Sequence, residues 1–253
     1  MQPEIDLLGL PLKTFGLCFA LGFLAAGALL ARRLRERGES PDWAYELLFA
    51  AMLGGLIGAR AWYLAEHTDE LSDDPFGSLF GGSGLTWYGG ALGGALGAAI
   101  WARRKGMGGL ALVDLCAPSL ALGYAIGRIG CQLSGDGDYG GPSDLPWAMP
   151  FPDGVVPTTE DVHPTPLYET LSMGLAALAL WWLRDRFAPG VLFALYLVLA
   201  GTERFLVEFV RRNDPVLIGL TAAQLVSVAM VVGGVVLWQQ RAGTRQGPQV
   251  RRA

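Results

Sequence analysis

The apolar run LALVDLCAPSLALGYAI, residues 110–126, is followed directly by GRIGCQLSGDGDYG, residues 127–140. The first stretch is long enough to lie in a membrane as a helix. The second opens with Arg128 and continues through glycines to Asp136 and Asp138. A charge at membrane depth costs about 2.5–3.5 kcal/mol on insertion scales, and such charges usually mark functional sites. The junction therefore predicts a membrane protein with a site near the end of this hydrophobic helix.

The composition of the whole chain agrees with a membrane protein. Of its 253 residues, 52% are hydrophobic and 17% are charged, whereas about a quarter of the residues are charged in soluble domains. Three cysteines, Cys18, Cys116 and Cys131, show no disulfide pattern. The first apolar run has no basic leader or cleavage site, so we expect no cleaved signal peptide. We expect one integral membrane domain over residues 1–253, with an outer loop region at 134–164 and a tail at 240–253.

The apolar runs predict an all-α membrane protein with seven transmembrane helices. The predicted spans are Thr14–Leu34, Tyr45–Ala65, Gly84–Ala102, Gly108–Cys131, Pro166–Leu183, Gly190–Val210 and Leu220–Gln239. In the third span, the small-xxx-small spacing of glycines between Gly89 and Gly97 predicts close helix packing. The chain shows no internal repeat and no nucleotide motif, and we expect no nucleic acid partner.

The basic residues predict the orientation of the spans, because cytoplasmic loops carry an excess of Lys and Arg. Basic residues follow the first, third, fifth and seventh spans: Arg32, Arg33, Arg35 and Arg37; Arg103, Arg104 and Lys105; Arg184 and Arg186; and Arg241, Arg245, Arg251 and Arg252. The other side carries Glu4 and Asp6, an acidic stretch at 66–74 that becomes glycine-rich up to Gly84, and the loop region. The N-terminus is therefore predicted to lie outside and the C-terminus in the cytoplasm.

Several polar residues at membrane depth have both a functional and a structural interpretation. Arg60 either belongs to the site or extends its charge to the outer interface. Tyr88 either points at the site, with Gly89 and Gly90 making room, or belongs to the interfacial aromatic belt. Asp114 needs a partner, and we expect its role to be structural.

The residues after the fourth span also leave alternatives open. Arg128 either binds a ligand or caps its helix favourably with the dipole. Cys131 shares a helix face with Arg128 if the helix continues that far, and a thiol beside an arginine is a candidate nucleophile, although no histidine is near in sequence. His163 is either a site residue or a loop histidine. Tyr168 and Glu169 follow it inside the fifth span, where Glu169 requires a cationic partner.

A charged ladder ends the sixth span. Arg204, Glu208 and Arg211 have i, i+4, i+7 spacing and share one helix face. The ladder is either a structural ion-pair set or, with its surplus positive charge, part of a site that also contains Arg60 and Arg128. Arginine grips phosphate through two parallel hydrogen bonds, so the second interpretation predicts a phosphate site.

These motifs together resemble the bacterial phosphatidylglycerol–prolipoprotein diacylglyceryl transferases. The similar segments are Gly54 to Arg60, Leu85 to Gly90, Asp114 to Gly140, HPTPLYE at 163–169, RFLVEFVR at 204–211 and LTAAQ at 220–224. The resemblance implies a multi-pass enzyme of the bacterial cytoplasmic membrane. Its members transfer the diacylglyceryl group of phosphatidylglycerol to the lipobox cysteine of a preprolipoprotein, form a thioether and release glycerol 1-phosphate. No cofactor and no metal ion are expected.

The resemblance also implies which residues act. It makes Arg128, Arg204 and Glu208 catalytic, with Tyr88 as a further candidate. The expected substrate-binding residues are Arg60, Gly89, Gly90, Cys131, Asp136, His163, Tyr168, Glu169 and Arg211.

The chain departs from the family pattern in two regions. Cys131 stands where the family has asparagine, and Ser134-Gly-Asp136 replaces a downstream asparagine and glutamate. Tyr88 stands where many members have a histidine. A phenol is a poor base at neutral pH. The alternative functions are a divergent lipid-transferring paralogue with another acceptor and an anion transporter.

Overall fold

The computed structural model describes residues 2–7, 10–68 and 86–242, and this part of the chain is mostly helical. Its helices are α1 (Thr14–Glu36), α2 (Asp42–Glu66), α3 (Trp87–Lys105), α4 (Leu110–Ser134), α5 (Thr165–Leu183), α6 (Val191–Val207) and α7 (Ala222–Ala242). Each corresponds to one predicted span, with ends that differ by three residues or fewer. The predicted acidic stretch beyond residue 68, the start of the third span and the basic tail beyond residue 242 lie outside the described residues.

Two short antiparallel hairpins accompany the helices and were not predicted. Strand β1 (Glu4–Leu7) pairs with β2 (Leu10–Lys13), which leads directly into α1. Strand β3 (Met149–Phe151) pairs with β4 (Thr158–Val162) inside the predicted outer loop region. Strands of three to five residues between prolines and glycines give too short an alternation to be recognised in the sequence.

Four of the described helices are long and apolar enough to cross a bilayer: α1, α2, α4 and the Ala222–Arg241 part of α7. Helix α6 has only 17 residues, and α3 is glycine-rich and ends in three basic residues. Length and composition therefore support a membrane protein with at least these four apolar helices, and seven crossings remain a prediction.

The chain forms two compact units. The first comprises residues 1–29 and 113–253, and the second comprises residues 30–112. In the first unit, Ala117, Ala121 and Ala125 on α4 pack against Met173 and Leu180 on α5. Small residues on α4 let the two helices approach closely.

Asp114, near the start of α4, accepts hydrogen bonds from the backbone N–H groups of Gly190 (2.6 Å) and Phe193 (2.7 Å). These are unpaired donors at the N-terminus of α6, and a carboxylate there is also favoured by the helix dipole. The structural role expected for Asp114 is confirmed.

The second unit is built on close contact between α2 and α3. A Cβ atom added at Gly58 would overlap the carbonyl oxygen of Gly89, and one added at Gly93 would overlap that of Gly54. The packing role predicted for these glycines is confirmed, because only hydrogen atoms fit between the two backbones.

Large apolar side chains remain exposed along the helices of both units. On α5, Leu171, Leu175 and Leu178 are 65%, 67% and 68% exposed and follow one helix face. On α2 and α3, Leu56, Ile57, Leu92 and Leu96 are exposed in the same way. Contiguous apolar faces of this kind are unusual in soluble monomers and suit contact with lipid.

Candidate active site

The turn after α4 brings a carboxylate back toward the helix end. Gly135 and Gly137 have φ values of 58° and 92°, a conformation that favours glycine. The chain then returns so that the Asp138 carboxylate contacts the guanidinium groups of both Arg128 and Arg211. Arg128 therefore does more than cap its helix.

Glu169, in the first turns of α5, is the centre of the charged cluster. Its side chain is fully buried. Arg128 Nε lies 3.1 Å from one carboxylate oxygen, Oε2, and Arg204 Nη1 lies 3.2 Å from the other, Oε1. The Tyr124 hydroxyl donates to Oε1 at 2.9 Å, and Arg211 Nη1 is 3.6 Å from Oε2. The cationic partner predicted for Glu169 is thus a set of three arginines.

Glu208 holds Arg204 from the other side. Its Oε2 lies 2.8 Å from Arg204 Nη2, which confirms the i, i+4 contact predicted for the ladder. Its Oε1 accepts hydrogen bonds from Asn213 Nδ2 (2.7 Å) and from Thr221 Oγ1 (2.8 Å). Arg204 is therefore fixed between two buried carboxylates from different elements.

Thr221 also begins α7 through a capping box. Its hydroxyl accepts a hydrogen bond from the Gln224 backbone N–H at 3.2 Å, and Gln224 Oε1 accepts one from the Thr221 backbone N–H at 3.1 Å. The same threonine thus orients Glu208 and starts a helix.

The surplus positive charge expected for the ladder is balanced within the cluster. Three guanidinium groups, those of Arg128, Arg204 and Arg211, contact three carboxylates, those of Glu169, Glu208 and Asp138. The balance has a physical reason, because unpaired charges at this burial would be too costly. The side chains of Glu169 and Glu208 are wholly buried, whereas that of Asp138 is 32% exposed.

Cys131 and Asp136 adjoin the cluster. Helix α4 continues to Ser134, so Cys131 does share a face with Arg128, whose Nη1 lies 3.7 Å from the Cys131 sulfur. Asp136 Oδ1 accepts the Asp138 backbone N–H at 3.2 Å. One ligand atom each from Cys131, Asp136 and Asp138 lies within 4.8 Å of the others. Two guanidinium groups already bind Asp138, so a metal ion there would have to displace them.

The two aspartates of this turn differ in their electrostatic surroundings. Burial raises the pKa of Asp136 above its ordinary value, and the nearby Asp138 charge adds to the effect. Burial acts on Asp138 in the same direction, but the charges of Arg211 and Arg128 outweigh it and hold the pKa of Asp138 below its ordinary value. Asp138 is therefore ionised at neutral pH.

His163 and Tyr168 form a polar group beside the start of α5. His163 Nδ1 lies 3.3 Å from the Tyr168 hydroxyl, which also accepts a hydrogen bond from Trp147 Nε1 at 2.8 Å. The His163 carbonyl accepts the Gly140 backbone N–H at 2.8 Å, which ties this segment to the turn after α4.

An apolar groove lies between α5 and α6, with a volume of about 330 Å³. Its lining consists of Tyr168, Ser172, Met173, Ala176, Leu199, Thr202, Glu203, Leu206 and Val207. Because the helices are antiparallel neighbours, Tyr168 and Val207 lie at the end of the groove nearest the charged cluster. From Tyr168 to Ala176 the groove follows eight residues of helix, about 12 Å at 1.5 Å per residue.

Four predicted site residues belong to the second unit. Arg60 lies on α2, with its guanidinium carbon 5.3 Å from the centre of the Tyr63 ring. Tyr88 lies in the first turn of α3 and is 47% exposed. Gly89 contacts the backbone of Gly58, so its lack of a side chain is already explained by helix packing. Gly90 follows it on α3, and a Cβ atom added there would lie 3.6 Å from the Ala59 Cβ. Roles for these four residues in the site remain predictions.

The structure brings together most of the predicted residues of the first unit. Arg128, Arg204, Glu208, Glu169 and Arg211 share one cluster, and Cys131 and Asp136 adjoin it.

Sequence reasoning did not assign roles to four contributors: Asp138, Tyr124, Asn213 and Thr221. Two of them carried a signal in the sequence. Asp138 lies in the glycine-rich turn already singled out, and a threonine three residues before Gln224 is a recognisable helix-capping pattern. No comparable signal marked Tyr124 or Asn213, because their partners are distant in sequence.

Comparison with known proteins identifies the family of the chain. Residues 4–240 match the family described as prolipoprotein diacylglyceryl transferase. Proteins named phosphatidylglycerol–prolipoprotein diacylglyceryl transferase are similar over nearly their whole length. The one from Clostridium tetani is 32% identical, covering 93% of this chain and 96% of its own. The one from Chromohalobacter salexigens is 36% identical, with 94% of each chain covered, and the one from Bordetella avium is 35% identical, with 90% of each covered. The chain belongs to the prolipoprotein diacylglyceryl transferase family.

Proposed function

We propose that this protein transfers the diacylglyceryl group of phosphatidylglycerol to the lipobox cysteine thiol of preprolipoproteins. The reaction forms a thioether and releases glycerol 1-phosphate. The observation that carries the proposal is the joint binding of Arg128 and Arg204, from two different helices, to the two oxygens of Glu169, beside an apolar groove. The full-length similarity to relatives with this name supports the same activity.

The electrophile of this reaction is the glycerol carbon that carries the phosphate ester. Arginines that bind the phosphate also stabilise the negative charge that grows on it as it leaves. Arg128 and Arg204 are suited to this because Glu169 and Glu208 fix their orientation on opposite sides. The thiol comes from the peptide substrate, so the chain needs to supply no nucleophile of its own.

The balanced charge of the cluster indicates how a phosphate enters it. Of the three carboxylates, only that of Asp138 is substantially exposed, and it binds Arg128 and Arg211. In our proposal the lipid phosphate approaches Arg128 from this side and takes over the donors that Asp138 now occupies. The buried carboxylates of Glu169 and Glu208 stay in place and keep the arginines oriented.

The groove between α5 and α6 is the proposed site of an acyl chain. Its lining is mostly apolar, and the end nearest the charged cluster reaches Tyr168, the residue before Glu169. A lipid lying there with its headgroup toward α4 would present its phosphate to Arg204 and Arg128. In this position Tyr168 and His163 contact the headgroup. Roles for Arg60, Tyr88, Gly89 and Gly90 in substrate binding remain predictions from the sequence.

The proposed setting is the bacterial cytoplasmic membrane, crossed seven times with the N-terminus outside. The apolar helices and exposed leucine faces support insertion in a membrane. The basic residues at the ends of α1, α3 and α7 support the orientation. The active site then lies at the outer leaflet, where α4 and α6 end and α5 begins.

Substitution of the two arginines tests the proposal. Arg128→Ala and Arg204→Ala should each lower transfer from phosphatidylglycerol to a lipobox peptide by at least about 100-fold, because each removes a donor that stabilises the leaving phosphate. Mass spectrometry of the peptide measures the transfer. Arg212→Ala is the matched control, since Arg212 is exposed and stacks on the Tyr139 ring. Near-normal transfer by both cluster variants, with wild-type protein active, would contradict the proposed roles.

A further inference from the structure

Glu203 is a polar residue of the groove that takes no part in the proposed binding of phosphate by Arg128 and Arg204. It lies on α6 directly before Arg204, and its side chain lines the groove. Its Oε1 atom is buried and has no hydrogen-bond partner within the described residues. A buried acceptor without a donor destabilises the folded protein, so its presence calls for a compensating role. The carboxyl group is placed to receive a donor from a bound molecule.

The neighbouring carboxylates are already engaged. Glu169, Glu208 and Asp138 each contact at least two guanidinium groups. Asp136 accepts the backbone N–H of Asp138 and lies against the Cys131 thiol. In the described part of the chain, Glu203 forms no salt bridge. Glu169 Oε2 and Glu208 Oε2 also lack a hydrogen bond, but they lie 3.1 Å and 2.8 Å from arginine nitrogens. The buried oxygen of Glu203 has no such ion-pair contact within the described residues, so it can accept a new hydrogen bond without displacing an arginine.

On both α5 and α6, one residue lines the groove and the next residue along the chain belongs to the charged cluster. On α5, Tyr168 lines the groove and Glu169 binds the arginines. On α6, Glu203 lines the groove and Arg204 binds Glu169. A donor group that contacts Glu203 therefore lies next to a phosphate held by Arg204.

Building on the proposed function, we propose that Glu203 accepts the proton of the lipoprotein cysteine thiol during diacylglyceryl transfer. The sulfur forms a bond to the glycerol carbon while the bond from that carbon to the phosphate oxygen breaks. The electron pair of the broken bond leaves with glycerol phosphate, and the thiol proton passes to the Glu203 carboxylate. The glutamic acid returns the proton to water after the products leave. Glu203 is then the catalytic proton acceptor, a role that Arg128 and Arg204 cannot fill.

A glycerol hydroxyl of the lipid headgroup is the other donor that fits this oxygen, and the test separates the two. Single-turnover transfer is measured for Glu203→Gln with two lipobox peptides, one with cysteine and one with selenocysteine at the acceptor position. A selenol is already ionised at neutral pH and needs no proton acceptor, whereas a hydroxyl contact with the lipid is the same for both peptides.

The expected result is a selective loss. Glu203→Gln should slow transfer to the cysteine peptide by about 100-fold or more, the usual contribution of a positioned base, and should transfer to the selenocysteine peptide at close to the wild-type rate. An equal loss with both peptides, or no loss with the cysteine peptide, would overturn the inference. Glu160→Gln, which removes an exposed carboxylate on β4, is the matched control and should behave as wild type with both peptides.

Two further measurements keep the test decisive. The amide of Glu203→Gln has nearly the same shape as the carboxylate and removes a buried charge, so the thermal unfolding midpoint should not fall. Glu203→Asp keeps the carboxyl group one methylene farther back and should be slowed only with the cysteine peptide. Wild-type protein that transfers to neither peptide would contradict the proposed function itself. Active wild type with fully active Glu203→Gln would contradict this inference alone.

Discussion

At the scale of single residues, the site depends on carboxylates that hold arginines in place. Asp138 is the most accessible of them, and its pKa is held below the ordinary value by Arg211 and Arg128, which outweigh the effect of burial. A carboxylate whose pKa is lower in the folded than in the unfolded protein stabilises the fold above its unfolded pKa, about 3.9. That stabilisation is lost as the pH falls through the lower, folded pKa.

This linkage predicts how Asp138→Asn changes acid stability. The variant should unfold at a lower temperature than wild type at pH 5–7, because Arg128 and Arg211 lose a charged partner. The difference should begin to shrink below about pH 4, where the unfolded chain takes up a proton at this position, and should be lost below the lower pKa of the folded protein. Thermal unfolding of both proteins in detergent, followed from pH 7 to pH 3, measures it. A difference that stays constant across this range would show that the ion pairs of Asp138 do not contribute.

The sequence alone identified the arginines and Glu208 as candidate site residues. It did not show that three carboxylates neutralise the three guanidinium groups. Arg128, Arg204 and Arg211 stood out because charges are rare in apolar helices. Glu169 was recognised as needing a cation, yet nothing in the sequence showed that it receives three. The bond from Tyr124 to Glu169 spans 45 residues, and such a contact follows only from how α4 packs against α5.

At the scale of elements, helix positions could be predicted closely because apolar runs and basic ends mark them directly. The predicted first span began at Thr14, where α1 begins, and the fifth ended at Leu183, where α5 ends. The sixth was extended to Val210, whereas α6 ends at Val207 and the chain continues as turns that carry Glu208 and Arg211. Apolar residues in those turns maintained the helical pattern beyond the end of the helix.

The contact between α2 and α3 gives a prediction at this scale. Gly93→Ala should destabilise the protein by about 1–3 kcal/mol, because its new methyl group would overlap the backbone oxygen of Gly54 and force the helices apart. Gly90→Ala is the matched control on the same helix, since its Cβ would lie 3.6 Å from the Ala59 Cβ, an ordinary contact. Thermal unfolding in detergent measures both variants.

Equal stability of the two variants would contradict this account of the packing. Gly90→Ala also tests a site role that sequence reasoning gave to this glycine. If the variant folds normally but loses transfer to a lipobox peptide, the space beside Gly90 is needed by the substrate and not by the helix contact.

At the scale of the whole molecule, the distribution of exposed side chains and of charge is what a bilayer would require. Leucine side chains on α2, α3 and α5 are exposed along one face of each helix. Contact with lipid would remove this apolar surface from water, which is favourable. Basic side chains gather in the last turns of α1 and α3, and Arg241 lies in the last turn of α7. Since these three helices are odd-numbered, their ends belong to the same side in a seven-helix arrangement.

This arrangement predicts which positions are reachable from outside the cell membrane. A single cysteine introduced as Asp153→Cys, in the loop between β3 and β4, should react with a membrane-impermeant maleimide in right-side-out vesicles. One introduced as Arg104→Cys, in the last turn of α3, should react only after the vesicles are opened. Wild-type protein gives the background, which should be low because Cys18 and Cys131 are buried and Cys116 is only partly exposed. Labelling of both positions in intact vesicles, or of Arg104→Cys alone, would contradict the seven-crossing orientation. The proposed position of the active site at the outer leaflet would then be wrong.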